Sequence, residues 1–359
     1  MTDHRPLGFA LVGCGRISRK HAELLGRNRI PGARLVAVCD TAFERAEAHG
    51  KAYGIPAFAS AEEMMAVMGN RIDVLSILTP SGSHAAHTID LARHGKHIVV
   101  EKPMALTLDD ADAMIRACDQ QGVKLFVVKQ NRFNPPVVKL REAFEAGRFG
   151  QIVMGTVRVR WRRDQGYYAQ DAWRGTWAED GGVFANQASH HVDLLEWFLG
   201  EPESVYANAR TALVDIETED TGAAIIRFRS GAIGVIEATT AARPKDLEGS
   251  LSILGEKGTV EVAGFAVNSM RVWQFADERP EDQLIRDTAH TEPPDVYGFG
   301  HGAYLSNVVD TIRRGGGALV DGLEGRKSLE LISAIYESIA SGQEVRMRFR
   351  ARHSRLGLR

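Results

Sequence analysis

The spacing of apolar residues changes once along the chain, and the change divides it. Up to residue 128, short and nearly unbroken apolar runs at 7–12, 34–39, 74–78, 97–100 and 124–128 alternate with amphipathic stretches. Unbroken runs predict strands buried on both faces, and the stretches between them predict the crossover helices of a parallel sheet. Two of those helices carry start signals at capping-box spacing, Ser60 with Glu63 and Thr107 with Asp110. After Asn134-Pro135-Pro136 the pattern shifts. A helix over about 137–146 leads into strands at 152–163, 204–213, 221–229, 233–240, 250–254, 259–262 and 271–275. Turn signals such as Ser230-Gly231 separate them, which predicts a meandering antiparallel sheet. Helical patterns at 187–199, 301–314 and 325–341 complete the chain. The expected fold is an α/β, doubly wound parallel-sheet domain over 1–130, followed by an α+β domain over 131–359. The second domain's large open, mainly antiparallel sheet has one face to cover, and the final helix can pack back on the first domain.

Composition alters this little. Of 359 residues 44% are hydrophobic and 25% charged, and the formal net charge is −2, so nothing favours a nucleic-acid or membrane partner. The apolar run at 7–12 is too short for a signal peptide or a span. Arg346, Arg348, Arg350, Arg352, Arg355 and Arg359 cluster at the end, as a solvated tail or an edge-strand face. Cys14, Cys39 and Cys118 lack paired spacing. They read as small core residues of a cytoplasmic protein, with no metal site and no disulfide framework.

Candidate chemistry begins where the first strand ends. Gly13-Cys14-Gly15-Arg16-Ile17-Ser18 follows strand 7–12 and opens a helix, and the second strand ends at Asp40, 25 positions beyond Gly15. This is the phosphate-binding turn of a Rossmann domain, with serine in place of the third small residue. Asp40 suits the adenosine ribose hydroxyls and would repel a 2′-phosphate, which favours NAD over NADP. Two further strand ends contribute Thr79-Pro80-Ser81, with His84 just beyond, and Glu101-Lys102-Pro103. These face the cofactor side of such a sheet. Lys102, between an apolar strand and a proline, has little structural reason to be there.

With Glu101-Lys102-Pro103 the chain resembles the glucose–fructose oxidoreductase/inositol dehydrogenase/rhizopine catabolism family. The family's second signature, G-G-G-x-x-x-D-x-G-x-H-x-x-D, lies over residues 180–193. Gly181, Gly182, His190 and Asp193 match it, whereas Asp180 and Ala188 replace glycines and Asn186 replaces an aspartate. The resemblance implies that Lys102 and His190 flank the carbon that gives up hydride. Histidine titrates near neutrality and can take the hydroxyl proton, and a lysine cation can stabilise the alkoxide. Asp193, three residues after His190, could orient a neighbouring group, and His191 reads as a packing residue.

A narrower resemblance lies in Lys129-Gln130-Asn131-Arg132-Phe133-Asn134, Trp173-Arg174-Gly175-Thr176-Trp177 and Asn186-Gln187. These resemble the bacterial UDP-N-acetylglucosaminuronate 3-dehydrogenases. That implies NAD-dependent oxidation at C3 of a UDP-sugar uronate, in making diacetamido-uronic acids for lipopolysaccharide O-antigen, by a homotetramer. It implies substrate contacts from Lys102, Arg132, Asn134, Trp173, Arg174, Asn186, Gln187 and His190. Arg132 and Arg174 are the candidate cations for carboxylate or phosphate, with Arg160, Arg162 and Arg163 a weaker set. Trp173 and Trp177 read as core or interface residues. The reduced cofactor has two fates, reoxidation in place by a second substrate such as 2-oxoglutarate or exchange after each turnover. Two alternatives stand beside this reading, a dehydrogenase of a free sugar or cyclitol and a non-catalytic dinucleotide-binding regulator.

Overall fold

Strands apolar on both faces can be buried only between layers, and six of them form the parallel sheet of the first half. In the computed structural model, which describes residues 5–292, 298–347 and 355–357, they are β1 (Leu7–Val12), β2 (Ala33–Cys39), β3 (Ala57–Phe58), β4 (Val74–Ile77), β5 (His97–Val100) and β6 (Leu125–Val127). Their order, β3-β2-β1-β4-β5-β6, reverses direction between β1 and β4, the switch point where such sheets bind ligands. The register pairs Val12 with Cys39 and Ile77, and Ile77 with Val100. Four strands therefore end level, and the loops that follow open on one edge of the sheet. β3 escaped the sequence reading because two residues make no hydrophobic pattern.

The chain forms two compact units. The first runs through Val128 and takes in His301–Arg326; the second holds Lys129–Gly300 and the chain from Lys327 on. Within the first unit the returning segment reaches the free edge of β6, where Val127 N–H donates to the Val320 carbonyl at 3.3 Å.

The second unit is built on an eight-stranded sheet: β7 (Ile152–Arg160), β8 (Pro202–Arg210), β9 (Thr221–Phe228), β10 (Ile233–Thr239), β11 (Glu248–Gly255), β12 (Gly258–Ala263), β13 (Ser269–Phe275) and β14 (Val345–Arg346). The order is β13-β12-β11-β7-β10-β9-β8-β14. Every pair is antiparallel except β7 with β10. The sheet is thus mainly antiparallel but not a meander, because β7 is inserted between β10 and β11. A parallel pair cannot be closed by a hairpin. The long connection from β7 to β10 carries the helix Ser189–Leu199 across one face, where it packs on β7, β10 and β11. That face buries Val157, Val159, Ile226, Ile236, Leu251 and Ile253.

The opposite face is mixed. Arg160 pairs with Glu237 and Glu248, and Arg158 with Glu248, while Tyr206, Ile225 and Ile233 stand exposed. Arg162 and Arg163 pair with Asp164 and Asp246, so this arginine set is already neutralised by the protein's own acids. A helix not expected from the sequence, Pro280–Thr288, is pinned from within by Asp282, which accepts from Arg148 and the Trp273 indole.

The three cysteines are buried and unpaired, and burial pushes each thiol up to about 12. Of the terminal arginines, Arg346 ends β14 and Arg355 lies over the Trp177 ring, and the other four lie outside the described residues. Among the described residues no helix is long and apolar enough to cross a membrane.

Candidate active site

The loops at the level strand ends are held tightly. Gly13 has φ +97°, and a Cβ there would lie 2.9 Å from the Leu78 carbonyl group, so only glycine lets the two loops touch. Gly15 differs: nothing lies within 4 Å of where its Cβ would be. The protein's own packing does not need glycine at 15, and the open side there is room for a cofactor's pyrophosphate. Arg16 is exposed and Ile17 half-buried before the helix Ser18–Gly26. Ser18 fits as the third small residue, fully buried, with its hydroxyl on the Gly15 carbonyl at 2.6 Å. Asp40 accepts from the N–H groups of Cys14 at 2.6 Å and Ala42 at 2.8 Å, which ties the end of β2 to the glycine turn. A carboxylate offers about four lone-pair sites, so these bonds leave capacity for ribose hydroxyls.

Thr79, Pro80 and Ser81 follow β4 as expected. His84 is buried between two carbonyls, Thr79 at 2.9 Å and Pro103 at 2.8 Å. Burial pushes its pKa down against those contacts. Its ring therefore fastens the Thr79 loop to the Glu101-Lys102-Pro103 loop. Glu101 is buried as well, accepting from His21 Nε2 at 3.0 Å with His301 Nε2 at 3.6 Å, and its other oxygen takes the Lys102 N–H at 3.1 Å. Burial pushes Glu101 up, but the two histidines outweigh it and hold the carboxyl well below its usual range. Two imidazoles and a carboxylate within 4.8 Å also have the donor types of a metal set. The 3.0 Å contact from His21 is itself a hydrogen bond, whereas His301 Nε2 at 3.6 Å stands at ion-pair distance only. Neither His21 nor His301 was picked out by the sequence reading.

In the second unit, His190 lies in the first turn of the helix Ser189–Leu199 and is 7% exposed. The helix begins two residues later than expected, at Ser189, whose Oγ bonds the Asn186 carbonyl at 3.0 Å. His191 is fully buried, edge-on to Trp161, and burial pushes it down to about 4. Asp193 is where the structure adds most. Arg132 grips it with Nε at 2.7 Å and Nη2 at 2.8 Å while lying over the Trp197 ring, and Lys129 Nζ stands 3.7 Å away. All three side chains are about 3% exposed. Burial pushes Asp193 up, and the two cations overcome that to hold it down. The guanidinium expected to meet substrate is therefore engaged by an internal carboxylate.

Asn134 is also turned inward, its amide nitrogen on the carbonyls of Ala266 and Val267. Arg174 bonds Asp171 and the Tyr167 hydroxyl and lies over the rings of Tyr167 and Trp173. Trp177 stands edge-on to Tyr336, as a packing residue. Asn186 donates through Nδ2 to Asp180, and Asp180 also accepts the Gly175 N–H at 2.7 Å. Gln187, Gln130 and Asn131 are buried with side-chain oxygens that no protein donor reaches. Such an oxygen costs about 1–3 kcal/mol if left unmet, and a buried water is the ordinary partner for one so enclosed.

Sequence comparison agrees with this geometry. Residues 7–129 match the model described as "Oxidoreductase family, NAD-binding Rossmann fold", and residues 141–347 match "Oxidoreductase family, C-terminal alpha/beta domain". The chain belongs to this family. It is 30% identical to the D-apiose dehydrogenase of Paraburkholderia graminis, over 94% of this chain and 89% of that one. It is 28% identical to the inositol 2-dehydrogenase of Rhizobium meliloti, over 94% and 98%. Among solved structures it is 45% identical, with a TM-score of 0.89 over 97% and 99% of the two chains, to the WlbA dehydrogenase of Bordetella pertussis in complex with NADH and UDP-GlcNAcA.

As a member of the family, the chain is an NAD-dependent oxidoreductase acting on a sugar or cyclitol hydroxyl. The residues fit the cofactor: the open side of Gly15 admits the pyrophosphate and Asp40 offers an anion to the ribose.

Sequence reasoning missed one more buried acid. Glu219 accepts from the Tyr336 hydroxyl at 2.8 Å and the Phe184 N–H at 3.1 Å, and a Cβ on Gly182 would lie 1.9 Å from its carboxylate. The signature's glycine pair is the signal that could have found it. Burial pushes Glu219 up to about 7 from 4.5. The unfolded chain ionises it first, so its contribution to stability is complete below pH 4.5 and is lost as pH rises through 7. Glu219→Gln should match the parent's melting temperature near pH 5 and exceed it at pH 8, by on the order of 3 kcal/mol in stability. Parallel melting curves across that range would refute the assignment. Asp193→Asn leaves two buried cations facing a neutral amide and should cost about 3 kcal/mol or more in urea unfolding. An unchanged midpoint would mean that the cluster contributes nothing.

Proposed function

We propose that the chain oxidises the C3 hydroxyl of UDP-N-acetylglucosaminuronate to the 3-keto nucleotide sugar, in the cytoplasm. In this reading it serves the formation of diacetamido-uronic acids for lipopolysaccharide O-antigen. One observation carries the substrate assignment. Identity over nearly the whole chain is 45% with a protein crystallised with NADH and UDP-GlcNAcA, against 30% with a dehydrogenase of a free sugar. Bound NAD accepts the hydride. His190 takes the hydroxyl proton, and the Lys102 ammonium steadies the alkoxide as the carbon–hydrogen bond breaks. Glu101, held by its two histidines, keeps the Lys102 backbone in place. Asn186 and Gln187 are the amides that this reading sets against the sugar. Arg174, beside Trp173 and itself paired with Asp171, is the cation this reading assigns to carboxylate or phosphate. Arg132 and Asn134 serve from behind, fixing the helix that carries His190 and the strand ends near Val267.

A dehydrogenase of a free sugar or cyclitol is the second reading, favoured by the D-apiose and inositol dehydrogenases. Purified protein is assayed with NAD and UDP-GlcNAcA, with and without 2-oxoglutarate to reoxidise retained NADH. UDP-GlcNAcA should be oxidised, and Lys102→Ala and His190→Asn should each lower kcat by about 100-fold or more. Turnover of D-apiose or myo-inositol with none of the nucleotide sugar would replace this reading by the second.

The exposed apolar residues on the outer face of the eight-stranded sheet support assembly as a homotetramer. Ile225→Glu places a charge in that patch and should shift the mass measured by light scattering to a smaller species. An unchanged mass would move the interface elsewhere.

A further inference from the structure

The third small position of the phosphate-binding turn is a serine in this chain, and its hydroxyl is shared. Ser18 Oγ stands 2.6 Å from the Gly15 carbonyl oxygen and 3.1 Å from Nε2 of His49, which lies on the next helix, Phe43–Tyr53. The other ring nitrogen of His49, Nδ1, is 3.1 Å from the Arg45 carbonyl oxygen. Counting donors assigns the protons. A carbonyl only accepts, so the single hydroxyl proton of Ser18 lies toward Gly15, and the Arg45 contact needs a proton on Nδ1. With its proton spent, Ser18 can only accept from His49, which needs a proton on Nε2 as well. All three contacts hold together only in the imidazolium, with hydrogen on both ring nitrogens. Ser18 is fully buried, while the His49 ring is half-buried, so water reaches a charge placed there.

We propose that His49 is a positioning residue for NAD: doubly protonated, it commits the Ser18 proton to the Gly15 carbonyl and locks the turn that receives the pyrophosphate. This does not depend on which sugar is oxidised. A neutral ring breaks the set at one end. With its proton on Nδ1, Nε2 becomes an acceptor and competes with Gly15 for the Ser18 proton. With its proton on Nε2, Nδ1 turns a lone pair on the Arg45 carbonyl and the ring is repelled from its place. The Gly15–Arg16 peptide is planar, so holding its carbonyl also sets the direction of the N–H on its opposite edge. That peptide borders the open side of Gly15. The imidazolium also brings positive charge to a turn that takes an anion. Affinity for NAD is therefore higher with the ring protonated, and by reciprocity NAD draws a proton onto His49.

Among the described residues no charged side chain bonds the ring. On its own helix the Tyr53 ring lies 6.5 Å away, Arg45 sits one turn before, and Lys51 is paired with Glu47. That helix packs on the helix Ser18–Gly26, β2 and β3. β3 carries no ionisable residue, and β2 brings Arg34 and Cys39, whose thiol burial pushes up to about 12. The helix Ser18–Gly26 brings Arg19, Lys20, His21 and Glu23, of which His21 bonds Glu101 and Glu23 pairs with Arg29.

Calorimetric titration of the full chain with NAD tests this. Kd for NAD should be lower at pH 6 than at pH 8 by about fivefold or more, and binding near neutrality should take up protons. His49→Gln keeps a donor at the Nε2 position that does not titrate, so it should bind NAD with a flat pH profile and no proton uptake. His49→Phe and Ser18→Ala should each bind more weakly than the parent at pH 6. The double variant should bind no more weakly than either, because both substitutions break one relay. In the NAD complex at pH 6 the ring nitrogens of His49, assigned by their loss in H49Q, should resonate as an imidazolium. A parent profile that is flat, or that H49Q shares, overturns the proposal. So does an additive loss in the double variant, or a neutral-ring resonance in the complex.

Discussion

A carboxylate taken out of water must find donors inside the protein, and each signature segment of this chain is held by one that has. Glu101 has His21 and His301, Asp193 has Arg132 and Lys129, Asp180 has Gly175 and Asn186, and Glu219 has Tyr336 and Phe184. An isolated buried charge is so costly that these contacts leave little freedom of position. Residues that chemistry needs in one place are neighbours of these acids. Lys102 follows Glu101, His190 shares a turn with Asp193, and Asn186 is held by Asp180 directly. The acids act as clamps, and the groups with functional promise are what they clamp.

The clamps differ in kind. Asp193 faces full cations and stays ionised, which makes its helix depend on an ion pair that few solvent molecules can screen. Glu219 has only neutral donors, and burial lifts it to about 7. The second arrangement tolerates a proton where the first does not. Gly182 belongs to the same clamp, because no side chain fits between its backbone and the Glu219 carboxylate. The glycine pair of the signature is thus a packing requirement as well as a turn.

What could be read in the sequence was whatever is local. Unbroken apolar runs, the strand–glycine–helix turn at Gly13 and Gly15, and the lysine after β5 each declare themselves within a few residues. The partners of the buried acids do not. Arg132 meets Asp193 across 61 positions and Tyr336 meets Glu219 across 117. Nothing in the chain near Arg132 tells that its guanidinium is already engaged. Reasoning from residue type shows what a guanidinium can pair with, not what pairs with it first. The insertion of β7 between β10 and β11 was hidden for a related reason: strand pairing follows the crossover, and hydrophobic alternation looks the same in either neighbourhood.

Cofactor and substrate recognition therefore rest on different kinds of information. The cofactor side is written in backbone: a positive φ at Gly13, an open flank at Gly15 and strands that end level, all of which survive changes in most side chains. The signature segment of the second unit is held instead by side-chain pairs, Arg132 with Asp193 and Asp180 with Asn186, each joined by a direct hydrogen bond. Relatives named for different substrates, D-apiose and inositol, both match this chain over nearly its whole length, so the shared fold does not itself decide the sugar.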